Sequence, residues 1–177
     1  MMSSYPDRRK FKIAGAVSLL GWSLCAFGDN NVAVLDFELH DLSLLPGSAR
    51  ELRRVSRVAP LLRDVLLTKG DYAITTVDRG AQQSANAGAG YLFTHGDSAA
   101  DLGRQWGADW VLVGQLQKSN DLFAYLTVQL VNVHTQRRVG EFCSEIKGPI
   151  GNDRLTQRGV ERLADQIDTA IKKLSGL

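Results

Sequence analysis

The chain has 177 residues, 44% of them apolar and 23% charged, enough for one domain with a sizeable core and too few for two comfortable ones. Its net charge of +2 comes from the start of the chain, where Arg8, Arg9, Lys10 and Lys12 against Asp7 give +3 and leave −1 for the rest. That near-neutral remainder removes the electrostatic basis for nucleic-acid binding, which needs clustered lysine and arginine.

Residues 1–28 read as a signal peptide. The basic cluster precedes a mostly apolar stretch, 13–27, that is short for a membrane span. Ala26-Phe27-Gly28 then puts small residues at −3 and −1 of a cut before Asp29. The expectation is an exported, periplasmic protein whose mature part, 29–177, is a single domain with no transmembrane segment. Cys25 does not read as a lipoprotein cysteine, because Trp22 and Leu24 do not fit the Leu-small-small pattern before it. A cut after Gly28 leaves Cys143 alone, so no intramolecular disulfide can form. Glu141 and Glu145 flank it on one strand face and oppose thiolate formation, so Cys143 reads as a structural thiol, not a nucleophile.

The first strand is expected over 31–39, apolar at its start and acidic at Asp36 and Glu38 as it ends. His40-Asp41 and Pro46-Gly47 are expected to form a loop. Over 48–69, Leu52, Val55, Leu62 and Leu66 recur at helical spacing with arginines between them. Pro60 predicts a kink or break near Val58-Ala59, since proline removes a helix hydrogen bond and crowds the preceding turn. Gly70 and Asp71 end that helix, and 72–77 is a second, β-branched strand. The stretch 78–96, rich in Gly, Ala, Gln and Asn, reads as a long mobile loop with a helical turn around 81–85. Ser98 and Asp101 form a capping-box pattern that opens a short helix to Trp106.

Gly107 stands where a helix C-cap favours a residue without a Cβ. Trp110-Val111-Leu112-Val113 fits a strand covered on both faces, and from Gly114 the pattern loosens as if the strand emerged into solvent. Trp106 and Trp110 are assigned to the core beneath this junction. Ser119-Asn120-Asp121 is a turn, after which Leu122, Ala124, Leu126, Val128 and Leu130 share one face. A turn at His134-Thr135-Gln136 returns the chain as 138–146, where Phe142 and Ile146 share a face. A last helix over about 152–174 carries an apolar stripe of Leu155, Val160, Leu163, Ile167, Ile171 and Leu174. The fold class is therefore α/β in the α+β sense. Its order is β-α-β-α-β-β-β-α, a mixed sheet with packed helices and a C-terminal antiparallel three-strand meander.

Three of these stretches resemble one family. Val32-Ala-Val-Leu-Asp-Phe37, Gly107-Ala-Asp-Trp-Val-Leu-Val-Gly114 and Leu130-Val-Asn-Val-His-Thr135 resemble, in order, the opening strand, centre and turn of CsgG-like and TolB-N-terminal-like domains. The likeness is greatest to single-domain secreted bacterial proteins of unknown function. The chain departs from the pattern at Asn132, where the family often has Asp, and at Gln136, where it has Gly. A glutamine at positive φ costs about 1 kcal/mol, so a different turn type is expected there. The resemblance implies a periplasmic or outer-envelope domain that assembles with other proteins, and it transfers no catalytic residue.

The residues themselves offer few sites. Asp36, Glu38 and His40, with His95 and Asp97, carry oxygen and nitrogen donors for a metal, which makes a metal-assisted hydrolase the alternative reading. Their spacing matches no recognised ligand motif, so a solvated strand end is preferred. Gly88-Ala89-Gly90 lacks the third glycine and the Lys-Ser/Thr pair of a phosphate loop. His134, beside Arg137 and Arg138, reads as a surface residue. Arg50, Arg53, Arg54 and Arg57 form a basic helix face suited to an acidic partner. The resulting expectation is a non-enzymatic envelope protein without cofactor or catalytic residue. It acts as a protein-binding or assembly module on an envelope protein or on itself, through the arginine face, the 78–96 loop and uncovered strand edges.

Overall fold

The computed structural model describes residues 31–42, 48–69, 72–148 and 152–175. The expected signal peptide lies outside them, as do Pro46 and Gly47 of the expected loop and the expected helix end at Gly70 and Asp71. In chain order the elements are β1 (Asn31–Val34), β2 (Glu38–Asp41), α1 (Ala49–Lys69), β3 (Ala73–Thr75), α2 (Arg79–Ala85), α3 (Tyr91–Thr94), α4 (Gly96–Gln105), β4 (Trp110–Lys118), β5 (Phe123–Asn132), β6 (Arg137–Lys147) and α5 (Asp153–Ser175). All described strands join one mixed sheet in the order β3-β1-β4-β5-β6, with β2 also on β4. The α/β class and the C-terminal meander are thus as the sequence predicts.

The expected first strand is two strands, and His40 and Asp41, expected in a loop, belong to the second of them. β1 pairs in parallel with the start of β4, and β2 pairs in parallel with its end, Glu38 opposite Gln115 and Asp41 opposite Lys118. Between them Phe37 turns its ring over Gly114, where a Cβ would lie 2.4 Å from ring carbons. Only glycine admits that approach. β4 does not emerge into solvent after Gly114: it runs to Lys118, with Gln115, Leu116 and Lys118 buried.

Alternation along β4 explains its apolar run. Leu112 and Leu116 enter one core with β5, α1 and α5, while Val111 and Val113 enter a second core under α3 and α4. Each such leucine, fully buried, stabilises the fold by roughly 1.5–3 kcal/mol. The helix before β4 ends as predicted. Gly107 has φ 69°, its N–H bonds Arg104 O at 3.1 Å, and Ala108 N–H bonds Gly103 O at 3.0 Å, the paired bonds of a Schellman cap.

Several expectations are corrected. α1 continues through Pro60, so the expected break near Val58-Ala59 does not occur. Val55, Val58, Ala59, Leu62 and Leu66 are buried on both sides of it, and the proline itself is exposed, so packing outweighs one missing hydrogen bond. Leu52, read as part of that stripe, is 53% exposed, and Trp106 is also exposed. The 78–96 stretch holds two helices, α2 and α3, and its expected turn at 81–85 falls inside α2. α4 opens at Gly96, not at Ser98, so the capping-box reading fails. Gln136 does take positive φ, 55°. Its Nε2 bonds Asp101 at 2.7 Å, and Asn132 Oδ1 accepts from Thr135 N–H at 2.8 Å. Those bonds hold the left-handed turn without glycine.

Candidate functional site

The residues singled out as metal donors go separate ways. Asp36, in the β1–β2 break, receives Arg79 Nε from α2 at 3.0 Å and lies 3.5 Å from Arg63 of α1. It ties the helix layers on both faces to the sheet. Glu38 accepts from Asn86 Nδ2 at 2.6 Å and from Gly90 N–H at 2.5 Å. His40 is exposed. His95 stacks on Tyr91 with ring centroids 4.0 Å apart, and Asp97 accepts from Ser98 N–H. Among the described residues no group of three or more His, Cys, Asp or Glu is arranged to hold a metal. Cys143 is exposed.

The arginine face divides. Arg50, Arg53 and Arg57 are exposed, and Arg57 reaches Asp153 of α5 at 2.6 Å. Arg54 does not belong with them. It is 8% exposed, bonds Thr156 Oγ1 at 2.9 Å and lies 3.7 Å from Glu51. Burial pushes its guanidinium below the ordinary arginine value, against the pull of Glu51 and Asp153. The four arginines share one face, an arc of about 100° on a 3.6-residue turn, and Arg54 lies at the edge of that arc nearest buried Glu51 and Val58, where it faces α5.

The sheet's edges are unevenly protected. On β6, Arg162 donates to Glu145 O at 2.6 Å and Gln166 donates to Cys143 O at 3.3 Å, so α5 covers that stretch of edge. β3 is only three residues long, which itself blunts an edge. In the β1–β2 break, Gln82 substitutes for a strand: its Oε1 accepts from Asp36 N–H and its Nε2 donates to Asp36 O, both at 2.9 Å. β2 pairs with β4 on one side, and no described strand pairs with it on the other.

Beside that outer edge lies a slot of about 900 Å³. All four residues of β2 floor it. Leu52 of α1 walls it on one side, and residues 87–91 with Phe93 wall it on the other. It occupies the place where the line of β3 would continue past β1. Leu42 N–H donates to Lys118 O at 2.9 Å, which sets the phase of β2. The backbone N–H and C=O of Leu39 therefore point away from β4, into the slot. Leu52, 53% exposed, stands on its apolar side. The sequence analysis missed this site because it read 31–39 as one strand and Leu52 as core. One signal was available: a helical wheel centred on Val55, Val58, Ala59, Leu62 and Leu66 leaves Leu52 at its margin.

These features define a mixed-sheet α/β domain with helices on both faces and, between them, a strand edge that no described strand covers. The chain belongs to the family described as "Protein of unknown function (DUF2380)", whose match spans residues 30–167. No curated protein matches it. Among solved structures it is similar in fold to E. coli LpoB, at 15% identity and TM-score 0.50 over 68% of this chain and 58% of that one. It is similar also to lipoprotein GNA1162 from Neisseria meningitidis, at 15% identity and TM-score 0.50 over 77% of this chain and 95% of that one. Its TM-score of 0.43 to TolB from Acinetobacter baumannii, at 14% identity over 84% of this chain and 29% of that one, is too low to carry an argument.

Proposed function

We propose that the protein is an exported, non-enzymatic component of the bacterial envelope that works by binding another protein. The observation that carries this reading is the slot at β2, a strand edge that no described strand pairs with, set between two walls and bordered by exposed Leu52. Edges are normally blunted or covered, as β6 and the β1–β2 break are here, and strand addition is a common mode of peptide recognition. Exposed Arg50, Arg53 and Arg57 supply a second, electrostatic contact. The fold shared with a lipoprotein, the basic-apolar-small order of residues 1–28, and the CsgG-like and TolB-N-terminal-like motifs favour an envelope setting. Among the described residues no helix is long and apolar enough to cross a membrane.

The test is site-specific photo-crosslinking in intact envelopes, with the crosslinker at position 52 and, as a control, at exposed Gln157 of α5. The expected result is a discrete adduct from position 52 alone, in protein whose mature chain starts at Asp29. Recovery of monomer only, from both positions, overturns the protein-binding reading, and a cytosolic chain starting at Met1 overturns the export reading.

A further inference from the structure

Resting on that reading, we propose that the slot beside β2 takes a short extended segment of the partner as an added strand. Its alternate side chains are aliphatic toward α1 and basic toward Glu38.

The floor is a strand edge, so the occupant's backbone is bound by main-chain hydrogen bonds to the outward N–H and C=O of Leu39. Four residues of β2 span about 13 Å, which sets the docked length at about four to six residues. The walls fix what each face of the strand meets. On the α1 side stand half-buried Leu39 and exposed Leu52, and an aliphatic side chain there covers both. On the opposite side the wall at 87–90 is Ala-Gly-Ala-Gly, without long side chains, and behind it lies the carboxylate of Glu38. Asn86 and Gly90 satisfy part of that carboxylate, but two carboxylate oxygens accept about four hydrogen bonds, so a cation can be added. The slot's lining brings no lysine or arginine to Glu38, whereas Asp41, its side chain buried, lies 3.9 Å from Lys118. That imbalance selects a basic partner segment over an acidic one.

A second copy of this chain fits poorly. Its own described edges are β2, which carries Glu38 and Asp41 and no lysine or arginine, β3, with three residues, and β6, whose carbonyls at 143 and 145 are already bonded to Gln166 and Arg162. A slot walled on both sides also admits one strand more readily than the margin of a whole sheet.

The probe is a labelled, end-blocked peptide of alternating lysine and valine, six residues long, read by fluorescence anisotropy against the purified protein. Two further peptides carry N-methyl groups on alternate residues, one in each phase. A strand seated on β2 loses binding at least tenfold in one phase and keeps it in the other. Loss in both phases, or in neither, overturns strand pairing. Leu52→Asp, at an exposed position that leaves the fold intact by thermal melting, is expected to weaken the unmethylated peptide at least tenfold. Equal binding to this variant puts the peptide elsewhere and overturns the slot. The crosslinking of the preceding section separates the two claims. A partner adduct in envelopes, with no peptide binding in vitro, retires the basic-strand occupant and leaves the protein-binding reading standing. Absence of any adduct removes the reading itself.

Discussion

Two glycines and one buried ion pair show how different physical terms act on single residues. At Gly107 the backbone is left-handed and a Cβ would meet nothing within 4 Å, so a side chain costs only backbone strain, about 1–2 kcal/mol. At Gly114 a Cβ would strike the Phe37 ring at 2.4 Å. Gly114→Ala is therefore expected to destabilise by about 1–3 kcal/mol through overpacking. Because Phe37 leads into β2, it should also loosen the slot, seen as faster amide exchange at 38–41. Glu51 and Arg54 form the costlier feature. Glu51 is fully buried, and neither carboxylate oxygen has a hydrogen-bond partner. Breaking a buried pair from one side strands the other charge and costs about 3–5 kcal/mol. Arg54→Met alone should approach that loss in denaturant unfolding, whereas Glu51→Leu with Arg54→Met should recover most of it. A single and a double variant of equal stability would show that the pair is not coupled.

At the scale of elements, the β1–β2 break is the joint on which the candidate site depends, and Gln82 holds it. Its carboxamide makes both bonds that a neighbouring strand would make to Asp36. Gln82→Leu is expected to leave that buried N–H and C=O unsatisfied and to cost about 1–3 kcal/mol, with Asp36 amide exchange accelerated. Unchanged exchange at Asp36 would show that the carboxamide does not act as a strand. The same joint marks where reading the sequence stopped. Val32 to Phe37 announces a strand by composition, but nothing local says that pairing lapses for three residues and resumes. That depends on the Phe37–Gly114 contact, more than seventy positions apart. The meander was legible because alternation at Ala124, Leu126, Val128 and Leu130 is a local pattern. The 78–96 stretch was not. Its helices are short, and they exist because Ala81, Ala85 and Leu92 pack into the core that holds Val111 and Val113.

For the whole molecule, the outer helical layer is secured by contacts between distant parts of the chain. α1 and α5 lie together on one face, joined by Arg57–Asp153, Lys69–Asp165 and Arg54–Thr156, and Tyr72 beyond α1 bonds Asp168 at 2.5 Å. None of these pairings follows from local sequence, although the apolar stripes that make them possible do. Asp168 gives the arrangement a pH signature. Burial raises its pKa, but hydrogen bonds from Tyr72 and Lys172 and the charges of Lys172 and Lys69 outweigh this and leave it below the ordinary aspartate value. A carboxylate depressed in the folded state contributes stability that is fully present above its unfolded pKa, about 3.9. That contribution fades as pH falls through the lower, folded value. Unfolding free energy should therefore decline below about pH 4. Asp168→Asn should lower stability at neutral pH and flatten the acid limb, because the group that takes up the proton is gone. Tyr72→Phe should do the same in part, since Lys172 still holds the carboxylate. An acid limb of unchanged slope in Asp168→Asn, measured by urea unfolding from pH 6 to pH 2, would assign the acid sensitivity to other carboxylates.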